Sequence, residues 1–345
     1  MKIKTVKKSY EQVLALPAPV HQKPVRQHIL FRILLRVLST WDLWATNFTY
    51  RKIGMERLNK GEPCLVLMNH SSFIDLKIAF MLLFPRPFHI VCTSDGFVGK
   101  KGLMRRIGCI PTRKFMNDVV LVRDMVYVLR ELKSSVLMYP EASYSFDGTQ
   151  TPLPETIGKC IKLLKVPVIM IRTQGAFARD PLYNNLQLRK VKVSADIEYL
   201  FSPKEIEEKP PQELNAVLQK SFSFDYFRWQ QENRVRISEP FRADGLNRML
   251  YKCPECLTEG KMKGHGISLT CNHCGKSYEL TEYGFLQAKE KETRFTHIPD
   301  WYRWERECVR KELLANTYHM EVPVAIYMMV NMNCIYQVGE GDLSH

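Results

Sequence analysis

Between residues 60 and 200, short apolar runs rich in β-branched residues alternate with longer stretches of helical periodicity. The runs at 64–68, 88–93, 135–139, 166–171 and 190–200 predict strands buried on both faces. The stretches at 74–84, 117–132 and 155–164 predict helices between them. Strand and helix in alternation predict an α/β domain, with a mostly parallel sheet flanked by helices. Residues 203–236, with Pro210 and Pro211 near their start, predict a closing helical element, and the domain boundary follows it. Residues 324–330 and 334–338 predict two late strands around Asn331, Met332 and Asn333. The chain stops soon after Gly339, Glu340 and Gly341, so little remains to complete a sheet, and a fragment of a longer protein is one expectation. The domains read as a basic segment at 1–60, the α/β domain at 61–236, a small cysteine-rich module at 237–285, and a helix with strands at 286–345.

The segment 29–44 is broadly apolar but carries Arg32, Arg36 and Asp42, too many charges for a membrane span of about 20 apolar residues. On a helix, His28, Arg32 and Arg36, with Ser39 or Thr40, line one narrow polar stripe, and Leu30, Phe31, Ile33, Leu34, Leu35, Val37, Leu38 and Trp41 cover the rest. That pattern suits a helix lying in the membrane interface, or a helix packed on the domain with its arginines in water. Charge favours the membrane. The chain carries a net +14, of which residues 1–60 hold +9 and residues 96–115 hold +6, so the remainder is close to neutral. Two local cationic patches predict anionic surfaces to be met, not a nucleic-acid coat. No apolar secretory h-region follows Lys2, Lys4, Lys7 and Lys8. The expected location is the cytoplasmic face of a membrane, as a peripheral or monotopic protein.

The run at 64–68 leads into Asn69, His70, Ser71, Ser72, Phe73, Ile74 and Asp75. Reactive groups in α/β sheets sit just past the carboxyl ends of strands, where loops open into a crevice. His70 there is a candidate general base, with Asp75 holding its other ring nitrogen. Five residues apart on one helix would place the two about 140° out of phase, so they meet only if His70 is on the loop and Asp75 on the first turn. Alternatively, Ser72 and Asp75 form a capping box and nothing more. A second candidate is the basic, glycine-containing stretch from Gly96 to Lys114, an anion site or simply a solvated face. A third is the strand that runs into Tyr139, Pro140, Glu141, Ala142, Ser143, Tyr144 and Ser145.

Taken in order, His70-x4-Asp75, then Gly108, Ile110 and Pro111, then Pro140-Glu141, then Val166-Pro167-Val168-Ile169, resemble the four sequence blocks of the glycerolipid acyltransferases, over roughly residues 28–225. These enzymes acylate glycerol phosphate and 1-acylglycerol phosphate. The resemblance implies that His70, oriented by Asp75, activates an acceptor hydroxyl for attack on acyl-CoA or acyl-carrier protein. It implies that Glu141 and Ser143 bind the acceptor and that the segment with Gly108, Arg113 and Lys114 binds its phosphate. The sequence departs from the family pattern at two cations. Lys114 stands on the family's arginine of the second block, and Tyr144 on that of the third. Arginine grips phosphate bidentately, lysine as a point charge, and tyrosine is uncharged at pH 7. An acceptor other than simple lysophosphatidate is therefore expected to be open to this chain.

Cys253-x2-Cys256, fourteen residues, and Cys271-x2-Cys274 have the spacing of two zinc knuckles. Four thiolates leave no open coordination position, so the expected metal is structural zinc, in a zinc-ribbon-like module. The other six cysteines read as reduced thiols in apolar surroundings. The ribbon supplies a rival reading: an inactive α/β domain carrying a nucleic-acid- or protein-binding module. Nucleic acid is disfavoured, because Lys252, Lys261, Lys263 and Lys276 are matched by Glu255, Glu259, Glu279 and Glu282. Trp301, Trp304 and Cys308 fall on one side of a last helical stretch, where core packing is expected.

Overall fold

The structure, a computed structural model, describes residues 4–113, 118–290 and 292–345. Its strands in chain order are β1 (Thr5–Lys7), β2 (Thr49–Ile53), β3 (Leu65–Met68), β4 (Phe88–Thr93), β5 (Cys109–Thr112), β6 (Ser135–Met138), β7 (Val168–Gln174) and β8 (Ser194–Phe201), then β9 (Met262–His265), β10 (Ser268–Cys271), β11 (Ser277–Leu280), β12 (Leu286–Ala288), β13 (Glu321–Met328) and β14 (Ile335–Ser344). Seven of them form the main sheet, in the order β2-β8-β7-β3-β6-β4-β5. The five strands from β7 to β5 are parallel, while β8 runs antiparallel to β7 and pairs parallel with β2. This is the expected α/β architecture.

β3 lies at the middle of the sheet, and all four of its residues are buried. Alternation sends Val66 and Met68 into one core layer, with Ile74, Ile78 and Leu83 of helix Ile74–Leu83. Leu65 and Leu67 enter the opposite layer, with Met125 and Val128 of helix Val119–Arg130 and Ile157 and Ile161 of helix Ile157–Leu164. A third cluster joins Phe177, Tyr183, Tyr226 and Phe227 of the α/β domain to Leu246, Cys253, Leu269, Cys271 and Trp301 beyond it. The cysteine-rich module therefore shares a core with the α/β domain and is not held on a linker. Its sheet runs β12-β11-β10-β9, all antiparallel.

Helix Ile29–Ala45 packs on helix Ile74–Leu83, burying Leu43 and inserting Leu35 into the first core layer. Its arginines do not simply face water. Arg32 donates from Nη1 to the Pro85 carbonyl at 2.8 Å, and the Arg36 guanidinium lies 5.9 Å from the Phe84 ring centre. The outward face is instead Leu30, Ile33, Leu34, Val37, Leu38, Trp41 and Trp44, with both tryptophans 75% exposed.

Three sequence expectations shift. β2 lies inside the segment read as 1–60, because Arg51 pairs in register with Asp196 of β8 and bonds it through Nε and Nη2 at 2.8 and 2.9 Å. β5 was not expected as a strand, since it is four residues long and contains Pro111. The two late strands pair with each other, and β14 also pairs with β1, so the opposite ends of the chain share one small sheet. Helix Ile298–Leu314 buries Trp301 fully, as core packing requires.

Candidate active site and metal centre

The ends of the parallel strands define one rim. Ile90 is level with Leu137 and Leu67 with Met138, so Thr93, Pro140 and Asn69 lie abreast, and Thr112 is paired with Thr93. His70, Glu141 and Arg113 are each one residue beyond that line. Strand adjacency does the work here: β3 neighbours both β6 and β7, so the loops after these three strands converge.

The loop after β3 is held from two sides. Asn69 accepts from the Thr173 amide at 2.8 Å, tying it to β7. Glu141 accepts from the His70 amide through Oε2 at 3.0 Å and from the Thr151 amide through Oε1 at 2.9 Å, tying it to the loop after β6. Ser145 then donates its amide to the His70 carbonyl at 2.8 Å. Asp75 is wholly buried on the first turn of its helix. Its Oδ2 accepts from the amides of Ser71 at 2.6 Å and Ser72 at 2.9 Å, and lies 3.2 Å from His70 Nδ1. The same oxygen thus meets both the start of the helix and the imidazole. Ser72 departs from the capping box by donating its hydroxyl to Asp180.

A neutral His70 that donates from Nδ1 to Asp75 carries its lone pair on Nε2, which is the state a general base needs. The ring is 19% exposed. Tyr139 stacks on one face at 4.0 Å between centroids and Tyr144 on the other at 3.8 Å. Burial pushes the Tyr144 phenol up to about 12, helped by the charges of Asp75 and Asp180, so it is neutral at pH 7. Burial also raises the Glu141 carboxyl, against the lowering by its Thr151 and His70 amide bonds.

The remaining expected residues are placed unequally. Ser143 is exposed on the loop after Glu141. Arg113 is exposed at the rim, its Nε 4.0 Å from Asp118 Oδ2. β5 is three strand spacings from β3, so Arg113 stands about 14 Å across the sheet from His70. Lys114 lies outside the described residues. Gly108 is removed from the rim altogether: it precedes Cys109, which pairs with Ile90, and so belongs to the opposite end of β5. Its φ of +92° and the Phe88 carbonyl 3.2 Å from where a Cβ would sit explain a glycine there by backbone fit alone. Glu141 has both oxygens occupied by backbone donors and acts as a tie between loops.

Sequence reasoning missed a partly buried charge network behind the loop. Asp180, in the loop after β7, accepts from Ser72 and pairs with Arg179 at 3.3 Å. Arg179 in turn lies 3.8 Å from Asp42, which also pairs with Lys77. The chain of charges thus runs from the exposed amphipathic helix to the His70 loop. The available signal was a carboxylate in the loop after the strand beside β3, which requires the strand order to be known.

The four knuckle cysteines come together with all their sulfurs within 4.8 Å of one another. Cys253 and Cys274 are 3.7 Å apart at Sγ, as are Cys256 and Cys271. A tetrahedron with metal–sulfur bonds of about 2.3 Å has edges of about 3.8 Å, so the residues fit a four-thiolate metal ion. Each knuckle turns through a left-handed residue, Leu257 at φ +61° and Gly275 at φ +77°, whose amides bond back to Cys253 and Cys271.

Residues 50–173, which include His70, Asp75, Arg113 and Glu141, match the acyltransferase family model. No curated protein matches the chain. Among solved structures, the chain is similar to the 1-acyl-sn-glycerophosphate (LPA) acyltransferase PlsC from Thermotoga maritima, at 16% identity and a TM-score of 0.44, over 55% of this chain and 76% of that one.

Proposed function

We propose, from the premise that residues 50–173 form an acyltransferase-family domain, that the protein transfers a fatty acyl group from an acyl thioester to a hydroxyl of a lysophospholipid or glycerol-phosphate-type acceptor. The observation that carries this reading is the His70 Nδ1–Asp75 Oδ2 approach of 3.2 Å at the end of the central strand. His70 Nε2 takes the acceptor's hydroxyl proton while the oxygen attacks the thioester carbonyl. The carbon–oxygen bond forms, the carbon–sulfur bond breaks, and the departing thiolate receives the proton from the imidazolium. Asp75 stabilises that imidazolium in place. General-base catalysis supplies about 10²–10⁴-fold, and the rest comes from holding donor and acceptor in register. The donor is acyl-CoA or acyl-carrier protein.

Arg113 at the rim, with Lys114 beside it in sequence, is assigned to an anionic group of the acceptor, and Ser143 to its polar part. The exposed apolar face of helix Ile29–Ala45, beside an amino-terminal segment of net +9, is assigned to the surface of an anionic bilayer, which would bring the rim to a lysolipid. Cys253, Cys256, Cys271 and Cys274 are assigned to one structural zinc ion, which would supply cross-linking of the module and no chemistry.

The test is mass spectrometry of lipid products from purified protein given mixed lysolipids with acyl-CoA or acyl-carrier protein. A new acylated product that His70→Ala reduces at least 100-fold is expected. Equal product from wild type and His70→Ala would sink the mechanism, and no product from either would move the binding-module reading ahead.

A further inference from the structure

The imidazole of His70 is enclosed on both faces. Tyr139, directly after β6, lies half-buried beneath it at 22° to its plane, and Tyr144 covers the outer face at 28°. Tyr144 is not a free surface ring. Its turn is tied by the Ala142 amide to the Tyr139 carbonyl at 3.1 Å, by the Ser145 amide to the His70 carbonyl, and by Ser145 Oγ to the Thr149 carbonyl at 2.7 Å. The ring edge also meets Phe73 at 5.4 Å in a T-shaped contact. With Nδ1 on Asp75 and both faces covered, the Nε2 edge is the remaining approach to the imidazole.

We propose that Tyr144 is a positioning residue for His70, closing the outer face so that an acceptor hydroxyl meets the imidazole only along its Nε2 edge. This rests on the acyl-transfer reading of the site. Two physical effects follow. The imidazole is denied rotations that would break its bond to Asp75, which keeps the lone pair on the reacting side. When it takes a proton, the imidazolium sits between two π faces, an arrangement that favours the cation. The Tyr144 hydroxyl makes no hydrogen bond to the described residues, so the ring and not the phenol carries the role.

The experiment compares Tyr144→Phe and Tyr144→Ala in the full chain, with two readouts. In product formation, Tyr144→Phe is expected within about twofold of wild type, and Tyr144→Ala to lose about tenfold in kcat with little change in KM, the scale of one lost aromatic pair. In carbethoxylation by diethylpyrocarbonate, followed on the His70 peptide by mass spectrometry, Tyr144→Ala is expected to react faster and Tyr144→Phe at the wild-type rate. Unchanged kcat and unchanged modification in Tyr144→Ala overturn the proposal. So does an equal loss in Tyr144→Phe, which would give the role to the hydroxyl. If His70→Ala forms product as well as wild type, the acyl-transfer reading fails by itself, and the carbethoxylation rates still decide whether Tyr144 covers His70.

Discussion

Glu141 shows how a single carboxylate sets the shape of the site. Its two oxygens face two backbone amides, those of His70 and Thr151, on loops from different strands. Glutamine offers one carbonyl oxygen and turns an NH₂ toward a second donor, leaving a buried amide unpaired. Glu141→Gln is therefore expected to cost about 1–3 kcal/mol, visible as a Tm lowered by a few degrees. It is also expected to lower kcat, because the His70 amide is one of the two donors that then compete for a single oxygen. A thermal scan beside the product assay measures both. A variant of wild-type Tm and activity would show that the tie is not needed.

Helix Ile29–Ala45 presents two faces that separate stability from surface binding. Leu43 is buried in the first core layer, so Leu43→Ala is expected to cost about 2–5 kcal/mol of stability. Trp41 and Trp44 are three-quarters exposed, and the double change Trp41→Ala, Trp44→Ala is expected to leave Tm nearly unchanged. The same double variant is expected to lose more than about tenfold in binding to anionic vesicles, since burial of each ring in the interface is worth about 1.5–3 kcal/mol. Co-sedimentation with phosphatidylglycerol vesicles measures this. Retained binding would remove the helix face from the membrane assignment.

The third core joins the cysteine-rich module to the α/β domain, so events at the module are expected to reach the whole molecule. One zinc ion per chain is expected by elemental analysis. Its removal by chelator, or by Cys253→Ser with Cys271→Ser, should lower Tm and shift the emission of the buried Trp301, which shares that core. Nearby, Glu305 is wholly buried on helix Ile298–Leu314, accepts from the Lys252 amide at 2.7 Å, and has its carboxyl raised to about 8 by burial. A carboxyl whose folded pKa is raised binds more protons in the folded state than in the unfolded one. Its contribution is full below the ordinary range near 4.5 and is lost as pH rises toward 8. Glu305→Gln, which cannot ionise, is expected to flatten the fall in Tm between pH 5 and pH 8.5. A parallel fall in both proteins would show that Glu305 does not carry it.

Local pattern alone determined a good part of this protein. The apolar run before Asn69 made a buried strand, the position of His70 beyond it and Asp75 on the next helical turn followed from helix geometry, and the two Cys-x2-Cys turns needed only four sulfurs meeting in space. These features depend on neighbours within about five residues or on a fixed ligand count. Tertiary structure decided what depends on strand order and register. It brought Glu141 and Asp180 to the His70 loop because β6 and β7 flank β3, and it sent Gly108 to the far end of β5, where only backbone fit is asked of it. It turned Arg32 and Arg36 toward residues 84–85, leaving the apolar face of their helix outward. It laid Tyr144 on the His70 ring, a contact that neither residue's sequence neighbourhood specifies. Such pairings are chosen by burial and hydrogen bonding summed over the whole sheet, and periodicity along one segment carries no record of that choice.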